Sequence, residues 1–131
     1  MSGGAVPSAD LWLKEAKADP AAKECGMFLF HNGVVRESSR AKVRNGHDDA
    51  PPVRAMLFDY DEQKADEAVR KVREMPGIFY VRAWLNRGEL SIGDDIMLVL
   101  IGGDIRPRVV DALNALVSEL KSSCVTEKEL Y

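Results

Sequence analysis

Short apolar runs along the chain predict four strands, at residues 27–30, 53–60, 78–85 and 96–101. The first run continues past His31-Asn32-Gly33 into Val34-Val35-Arg36. The Asn-Gly pair allows either a hairpin or a bulge within one longer strand, and the tightly apolar arm before it favours the bulge. The last two runs predict an antiparallel pair joined across residues 88–93.

Apolar residues at helical spacing predict three helices between and after these strands. Ser8 caps a short helix that ends at Asp19-Pro20, and Asp61 caps a second helix that ends at Pro76-Gly77. A third helix begins at Pro107 and ends near residues 122–123. Its inward side chains are predicted to be Val109, Val110, Leu113, Leu116, Val117 and Leu120.

The order of these elements predicts an α+β fold in a single domain, residues 1–131, with one mostly antiparallel sheet and helices packed on one face. Residues 1–7 are small and turn-prone and are predicted to be frayed. Residues 37–52 are polar and form a long predicted loop, which is either a solvated mobile loop or a mobile basic lid over a ligand.

Composition narrows the class of protein. Of the 131 residues 46% are hydrophobic and 30% charged, which is typical of a globular protein. The net charge of −3 gives no support to nucleic-acid binding. Neither a signal peptide nor a run long enough to cross a membrane is present, so we expect a cytoplasmic protein. The two cysteines leave one disulfide open but indicate neither a disulfide framework nor a metal site.

The candidate chemistry lies in basic residues towards the end of the chain. Arg106 stands at the start of the third helix, where free amide groups suit phosphate or carboxylate, although it reads equally well as a surface arginine. Lys121 and Lys128 can depress each other's pKa if they share a pocket, leaving one a neutral nucleophile or base. The plainer interpretation of Lys121 is a helix-terminal lysine that interacts with the dipole. The two histidines, His31 and His47, form no catalytic arrangement that the sequence can support.

The succession of these residues resembles a known family. The order and spacing are set by Gly33-Val34-Val35-Arg36, then residues 87–95, then Arg106, Lys121 and Lys128. This succession resembles that of the large, catalytic subunit of molybdopterin synthase, the MoaE family. The resemblance covers residues 27–129. It implies an α/β hammerhead fold and a homodimer in which each copy binds a small ubiquitin-like MoaD-type subunit ending in Gly-Gly.

The resemblance also implies an activity in molybdenum cofactor biosynthesis. Sulfur passes from the thiocarboxylated end of the small subunit to cyclic pyranopterin monophosphate, giving molybdopterin, with no cofactor and no metal. By the same likeness Lys121 and Lys128 are the catalytic lysines. Arg36 and Arg106 bind the pterin phosphate, and Glu129 joins the substrate-binding residues.

The chain differs from the family pattern at several positions. Ile105 stands where the family has histidine, Glu127 replaces an aromatic residue, and the chain stops at Tyr131. These differences favour one alternative, a divergent family member that binds partners or regulates without catalysis. A second alternative is an unrelated domain that binds phosphate at the 102–108 turn.

Overall fold

A computed structural model describes residues 5–46 and 51–131. The helices are α1 (Ala9–Ala18), α2 (Arg40–Asn45), α3 (Glu62–Arg73) and α4 (Arg106–Glu119). The strands are β1 (Met27–Val34), β2 (Ala55–Tyr60), β3 (Ile78–Leu85), β4 (Gly88–Ser91), β5 (Asp95–Gly103) and β6 (Val125–Leu130). A 3₁₀ turn, Pro20–Glu24, follows α1, and a π-helical turn, Leu120–Cys124, joins α4 to β6.

The strands form two antiparallel sheets rather than the single sheet predicted. The first sheet has the order β1-β5-β3 and the second has the order β4-β2-β6. The predicted pairing of β3 with β5 is confirmed, with Leu85 opposite Met97. The predicted bulge in β1 is also confirmed, because the register against β5 shifts between Gly33 and Val34. The α+β class is therefore right, but the number of sheets was wrong.

The first sheet carries helices on both faces, which corrects the one-sided packing predicted. Trp12 and Ala16 of α1 pack with Trp84, Leu98 and Leu100 on one face. Alternate residues of β5 lie in the larger core on the other face, which also contains buried side chains of α3, α4 and β2. Since successive strand residues point to opposite faces, a strand covered on both sides must be apolar throughout. This explains the unbroken apolar run at residues 96–101.

Two strands of the second sheet were not predicted. β4 has only four residues within a segment that reads as a turn, and β6 reads as Val125-Thr126-Glu127-Lys128-Glu129-Leu130, with few apolar side chains. Both are edge strands paired only to β2, so neither needs a continuous apolar pattern. β6 is the strand that determines where the last charged residues point.

The Gly102-Gly103 turn has a packing role. A Cβ atom on Gly103 would lie 2.6 Å from the carbonyl oxygen of Gly77 and 2.7 Å from Cγ2 of Val109. These contacts explain both glycines without a phosphate, since Gly102 is likewise pressed against Phe28. Arg108, beside this turn, forms an ion pair with Asp104 at 2.8 Å. The alternative of a phosphate-binding 102–108 turn therefore gains no support.

The polar segment 37–52 contains α2 (Arg40–Asn45), where a loop was predicted. Its residues 47–50, together with residues 1–4 of the predicted frayed end, lie outside the described residues. Among the described residues no helix has the length and apolar character needed to cross a bilayer. Cys25 and Cys124 are both free thiols, so the disulfide that the sequence left open is not formed.

Candidate functional site

A cavity of about 810 Å³ lies where β1, α2, the end of α4 and β6 meet. Among the described residues, the ionisable side chains that line it are His31, Arg40, Arg44, Lys121 and Glu127. The remaining lining comes from small and apolar residues: Val117, Ser118, Ser122, Val125 and Thr126. The volume is in the usual range for a small-molecule pocket, and the lining is predominantly basic.

Lys121 owes its position to the π-helical turn. The residue before it, Leu120, is fully buried in the core. At the far end of the turn the carbonyl of Cys124 accepts a hydrogen bond of 2.8 Å from the backbone N–H of Asp61, the cap of α3. The turn is thus fixed at both ends, and Lys121 projects from it into the cavity.

The electrostatic environment of Lys121 is strongly positive. Desolvation lowers the pKa of its ammonium group, and the positive charges of Arg40, Arg44 and Arg36 lower it further. Arg36 is therefore near enough to Lys121 to affect its pKa, while its predicted role in binding phosphate stays a prediction. A lowered pKa raises the fraction of neutral amine at a given pH, which suits a group that acts as a nucleophile or as a general base.

Two carboxylates of β6 bind α2 and hold it at the cavity. The Arg40 guanidinium forms an ion pair with Glu127, whose side chain is only 14% exposed. Glu129 accepts hydrogen bonds from the backbone N–H of Arg40, at 3.0 and 3.3 Å, and from the Tyr131 hydroxyl at 3.1 Å. Glu129, predicted to bind substrate, is thus engaged with α2 at the edge of the basic cluster.

Lys128 does not share this cavity. It lies opposite Leu57 in the β2–β6 pairing, whereas Glu127 and Glu129 lie opposite Phe58 and Met56. Phe58 and Met56 are buried and face the core, but Leu57 is exposed, so Lys128 faces outward. It lines an adjoining cavity of about 360 Å³ that also contains Arg87 and shares Thr126 and Glu127 with the first one. Within one chain the two lysines therefore lie on opposite faces of the second sheet.

Arg106 is also remote from Lys121 in the same chain. It is the first residue of α4, and Lys121 follows the end of that helix. At ~1.5 Å of rise per residue the two positions are about 22 Å apart along the axis. Within one copy, Arg36 is near enough to affect the Lys121 pKa, whereas Arg106 and Lys128 lie away from the Lys121 cavity. The catalytic or binding roles of all four remain predictions.

Three cavity residues were missed by the sequence analysis. Arg40 and Arg44 stand four residues apart, a spacing that places both on one face of a helix, and this was an available signal. His31 lies on β1, and its contact with the Lys121 region depends on long-range packing that its own sequence neighbourhood does not reveal. Among the described residues, no group of three or more His, Cys, Asp or Glu side chains could hold a metal ion.

His31 gives the protein a predicted pH dependence. Burial and the nearby Lys121 ammonium lower the pKa of the imidazole. Between that lowered value and the ordinary pKa of about 6.5, the unfolded chain binds more protons than the folded one. We therefore expect the free energy of unfolding to fall as the pH is lowered through this window, and to level off below it. Urea unfolding at a series of pH values from about 7.5 to 4.5 measures the slope.

The variant His31→Gln should flatten that slope, because it removes the group whose protonation opposes folding. His47→Gln is the matched variant at the other histidine, and comparison of the two assigns the slope to one position. An unchanged slope in His31→Gln would show that other groups cause the loss of stability.

Comparison with known proteins identifies the family of this chain. A sequence model described as MoaE protein matches residues 6–123. The chain belongs to the MoaE family. No curated protein matches this MoaE chain.

Solved structures reproduce its fold at low sequence identity. Molybdopterin synthase from Staphylococcus aureus has a TM-score of 0.72 at 16% identity, covering 95% of this chain and 85% of that one. The MoaE protein from Burkholderia ambifaria has a TM-score of 0.70 at 18% identity, covering 100% and 84%. A complex of subunits 1 and 2 of molybdopterin-converting factor from Helicobacter pylori contains a chain with a TM-score of 0.68 at 19% identity, covering 98% and 82%. The predicted MoaE-like fold is therefore confirmed.

Proposed function

We propose that this protein is the large subunit of a molybdopterin synthase. It transfers sulfur from the thiocarboxylated C-terminus of a small ubiquitin-like MoaD-type subunit to cyclic pyranopterin monophosphate, giving molybdopterin. Membership of the MoaE family supports the broader role in molybdenum cofactor biosynthesis. The observation that carries the finer proposal is the placement of Lys121 in a cavity surrounded by arginines.

The charge of the cavity fits the charge of the proposed reactants. A thiocarboxylate and a phosphate are both anions, and they repel each other in water. Cationic side chains offset that repulsion and also stabilise negative charge that develops on the attacked carbon. Lys121 meets the thiocarboxylate end in this proposal, and Arg36, which is coupled to it, holds the pterin phosphate.

The proposed roles of Arg106, Lys128 and Glu129 have different grounds. Arg106 stands at the far end of α4, so it reaches a Lys121 cavity only from the other copy of a homodimer. Lys128 keeps its proposed catalytic role on the strength of the motif, and Glu129 acts by holding α2 in place. The two-subunit complex from Helicobacter pylori, which contains a structurally similar chain, supports the proposed MoaD-type partner. We further propose that the protein acts in the cytoplasm.

Reconstitution tests this function directly. The purified chain is mixed with a thiocarboxylated MoaD-type subunit and the pterin precursor, and molybdopterin is measured as its fluorescent oxidation product. We expect product in proportion to thiocarboxylate, and a homodimer by light scattering before the partner is added. The MoaE protein from Burkholderia ambifaria serves as the comparison under the same conditions. Product from that protein but none from this chain would refute the enzymatic proposal.

A non-catalytic family member is the second candidate. Two observations favour it. Lys128 faces away from the Lys121 cavity, and Arg40 is already ion-paired with Glu127. In that case the chain binds the MoaD-type partner with unchanged affinity after Lys121→Ala, and no molybdopterin forms with either version. Calorimetric titration of the partner together with the product assay separates the two candidates.

A further inference from the structure

The cavity contains two arginines that the family likeness leaves unassigned. Arg40 and Arg44 belong to α2, and both line the cavity that contains Lys121. A separation of four residues places them on the same side of that helix. Both are close enough to Lys121 to lower the pKa of its ammonium group.

Among the described residues that line the cavity, the positive and negative charges do not balance. Lys121, Arg40 and Arg44 are cationic, and Glu127 is the carboxylate among the described lining residues. The described lining residues therefore carry an excess of two positive charges before His31 is protonated. Among the described ion pairs Arg40 has a partner, Glu127, whereas Arg44 and Lys121 have none. Concentrating like charges around a partly desolvated lysine is unfavourable unless an anion neutralises them.

We propose that Arg40 and Arg44 form a second anion subsite, beside Lys121, for a ligand that carries two anionic groups. Lys121 binds one group and the two guanidinium groups bind the other. The chemical class is a phosphate ester with a further phosphate or carboxylate, or two singly anionic reactants bound side by side. This inference rests on the proposed function only in that it assigns the same cavity to anionic reactants.

The geometry of arginine suits this role. A guanidinium group presents paired N–H donors that match two oxygens of one phosphate or carboxylate, and such bonds are among the stronger polar contacts in proteins. The hydroxyl groups of Ser118 and Ser122 line the same cavity and add neutral donors. The volume of about 810 Å³ accommodates two anionic groups together with the atoms that join them.

Glu127 has a defined part in this subsite. Its carboxylate pairs with Arg40 and so acts as an internal counter-ion in the absence of ligand. A ligand group with a single negative charge gains little by displacing another carboxylate. A group with two negative charges gains more, because the Coulomb attraction grows with charge. Glu127 therefore sets a preference for ligands of higher negative charge.

Inorganic pyrophosphate and inorganic phosphate are suitable probes for the subsite. Each is titrated into the full chain by calorimetry at low ionic strength, where screening is weak. We expect pyrophosphate to bind at least about tenfold tighter than phosphate, since it engages Lys121 and α2 together. Arg44→Gln should weaken pyrophosphate binding by about tenfold and phosphate binding by less than about twofold. Glu127→Gln should tighten binding of both probes, because the competing carboxylate is removed.

Arg70→Gln is the matched control. Arg70 is an exposed arginine on α3 that pairs with Glu67 and Glu74, and it lines a different cavity. It removes the same net charge without touching the subsite, so both dissociation constants should stay at the wild-type values. Thermal unfolding of each variant verifies that the fold is kept, which the exposure of Arg44 favours.

Two results would overturn the inference. One is equal affinity for phosphate and pyrophosphate in the wild type. The other is an Arg44→Gln variant that keeps the wild-type ratio of the two affinities. Failure of the proposed function has a different signature: reconstitution with a thiocarboxylated MoaD-type partner then yields no molybdopterin, while pyrophosphate still binds more tightly than phosphate and Arg44→Gln still weakens pyrophosphate binding.

Discussion

Replacing Lys121 with alanine is expected to reduce the rate of molybdopterin formation by about 10²–10³-fold, the usual cost of removing one group that stabilises developing charge. The ammonium group lies in the cavity where Arg40, Arg44 and Arg36 lower its pKa, and alanine removes the one lysine among the described lining residues. The measurement is a single-turnover assay with saturating thiocarboxylated MoaD-type partner. Partner affinity should change much less than the rate, because the substitution removes a single side chain from the interface.

Three further variants identify what Lys121 does. Lys121→Arg keeps the positive charge but cannot supply a neutral amine, so partial activity indicates an electrostatic role and full loss indicates a nucleophile or base. Lys14→Ala, at an exposed lysine of α1, should retain the wild-type rate. Lys128→Ala tests the catalytic role that the family likeness gives to Lys128 although it faces away from the Lys121 cavity. A loss of rate equal to that of Lys121→Ala means that Lys128 reaches the reactants in the assembled enzyme. A wild-type rate in Lys121→Ala would contradict the assignment of the cavity.

Truncating Leu120 to alanine is expected to destabilise the protein by about 3 kcal/mol, within the range for large-to-small changes at fully buried sites. Leu120 is 0% exposed, and it packs in the core shared by α3, α4 and both sheets. A loss of this size corresponds to a fall in Tm of about 10 °C for a chain of this length. Because Lys121 follows directly, the variant should also lose activity at temperatures where it is still folded.

Leu11→Ala is the matched control for this stability prediction. It removes the same atoms from a leucine of α1 that is 52% exposed, so the change should stay within about 0.5 kcal/mol. Urea titrations with equal slopes ensure that the two midpoints are comparable. Equal destabilisation by the two variants would mean that the π-helical turn is not held by its buried leucine.

The fold was predictable wherever one strong local pattern determined the structure. Three predicted features have short-range causes, and each is confirmed: capping by Ser8 and Asp61, the bulge at Gly33, and the antiparallel pairing of β3 with β5. The division into two sheets has no such cause, since it depends on β6 pairing with β2 across more than half of the chain. An edge strand such as β6 needs few apolar residues, so its sequence carries little signal.

The candidate site was predictable only in part, for a related reason. Lys121 and Arg36 came from the family likeness; the charge of Arg36 contributes to the lowered pKa of Lys121, and the roles of both residues stay predictions. Arg40 and Arg44 were read as part of a polar loop, because six residues of helix are too few to produce a recognisable apolar stripe. Val110 was expected to face inward but is 37% exposed, which shows that spacing alone does not fix the width of a buried face.

The alternation of charge along β6 has a consequence for how this cavity can change. Glu127 and Lys128 are neighbours that point to opposite faces, so the loss or gain of one residue in the turn Leu120–Cys124 would exchange them. The face of β6 that lines the Lys121 cavity would then carry Lys128 in place of the Glu127 carboxylate, without any substitution in the strand itself. The length of that turn, rather than the identity of the strand residues, therefore governs the sign of the charge that α2 and Lys121 face.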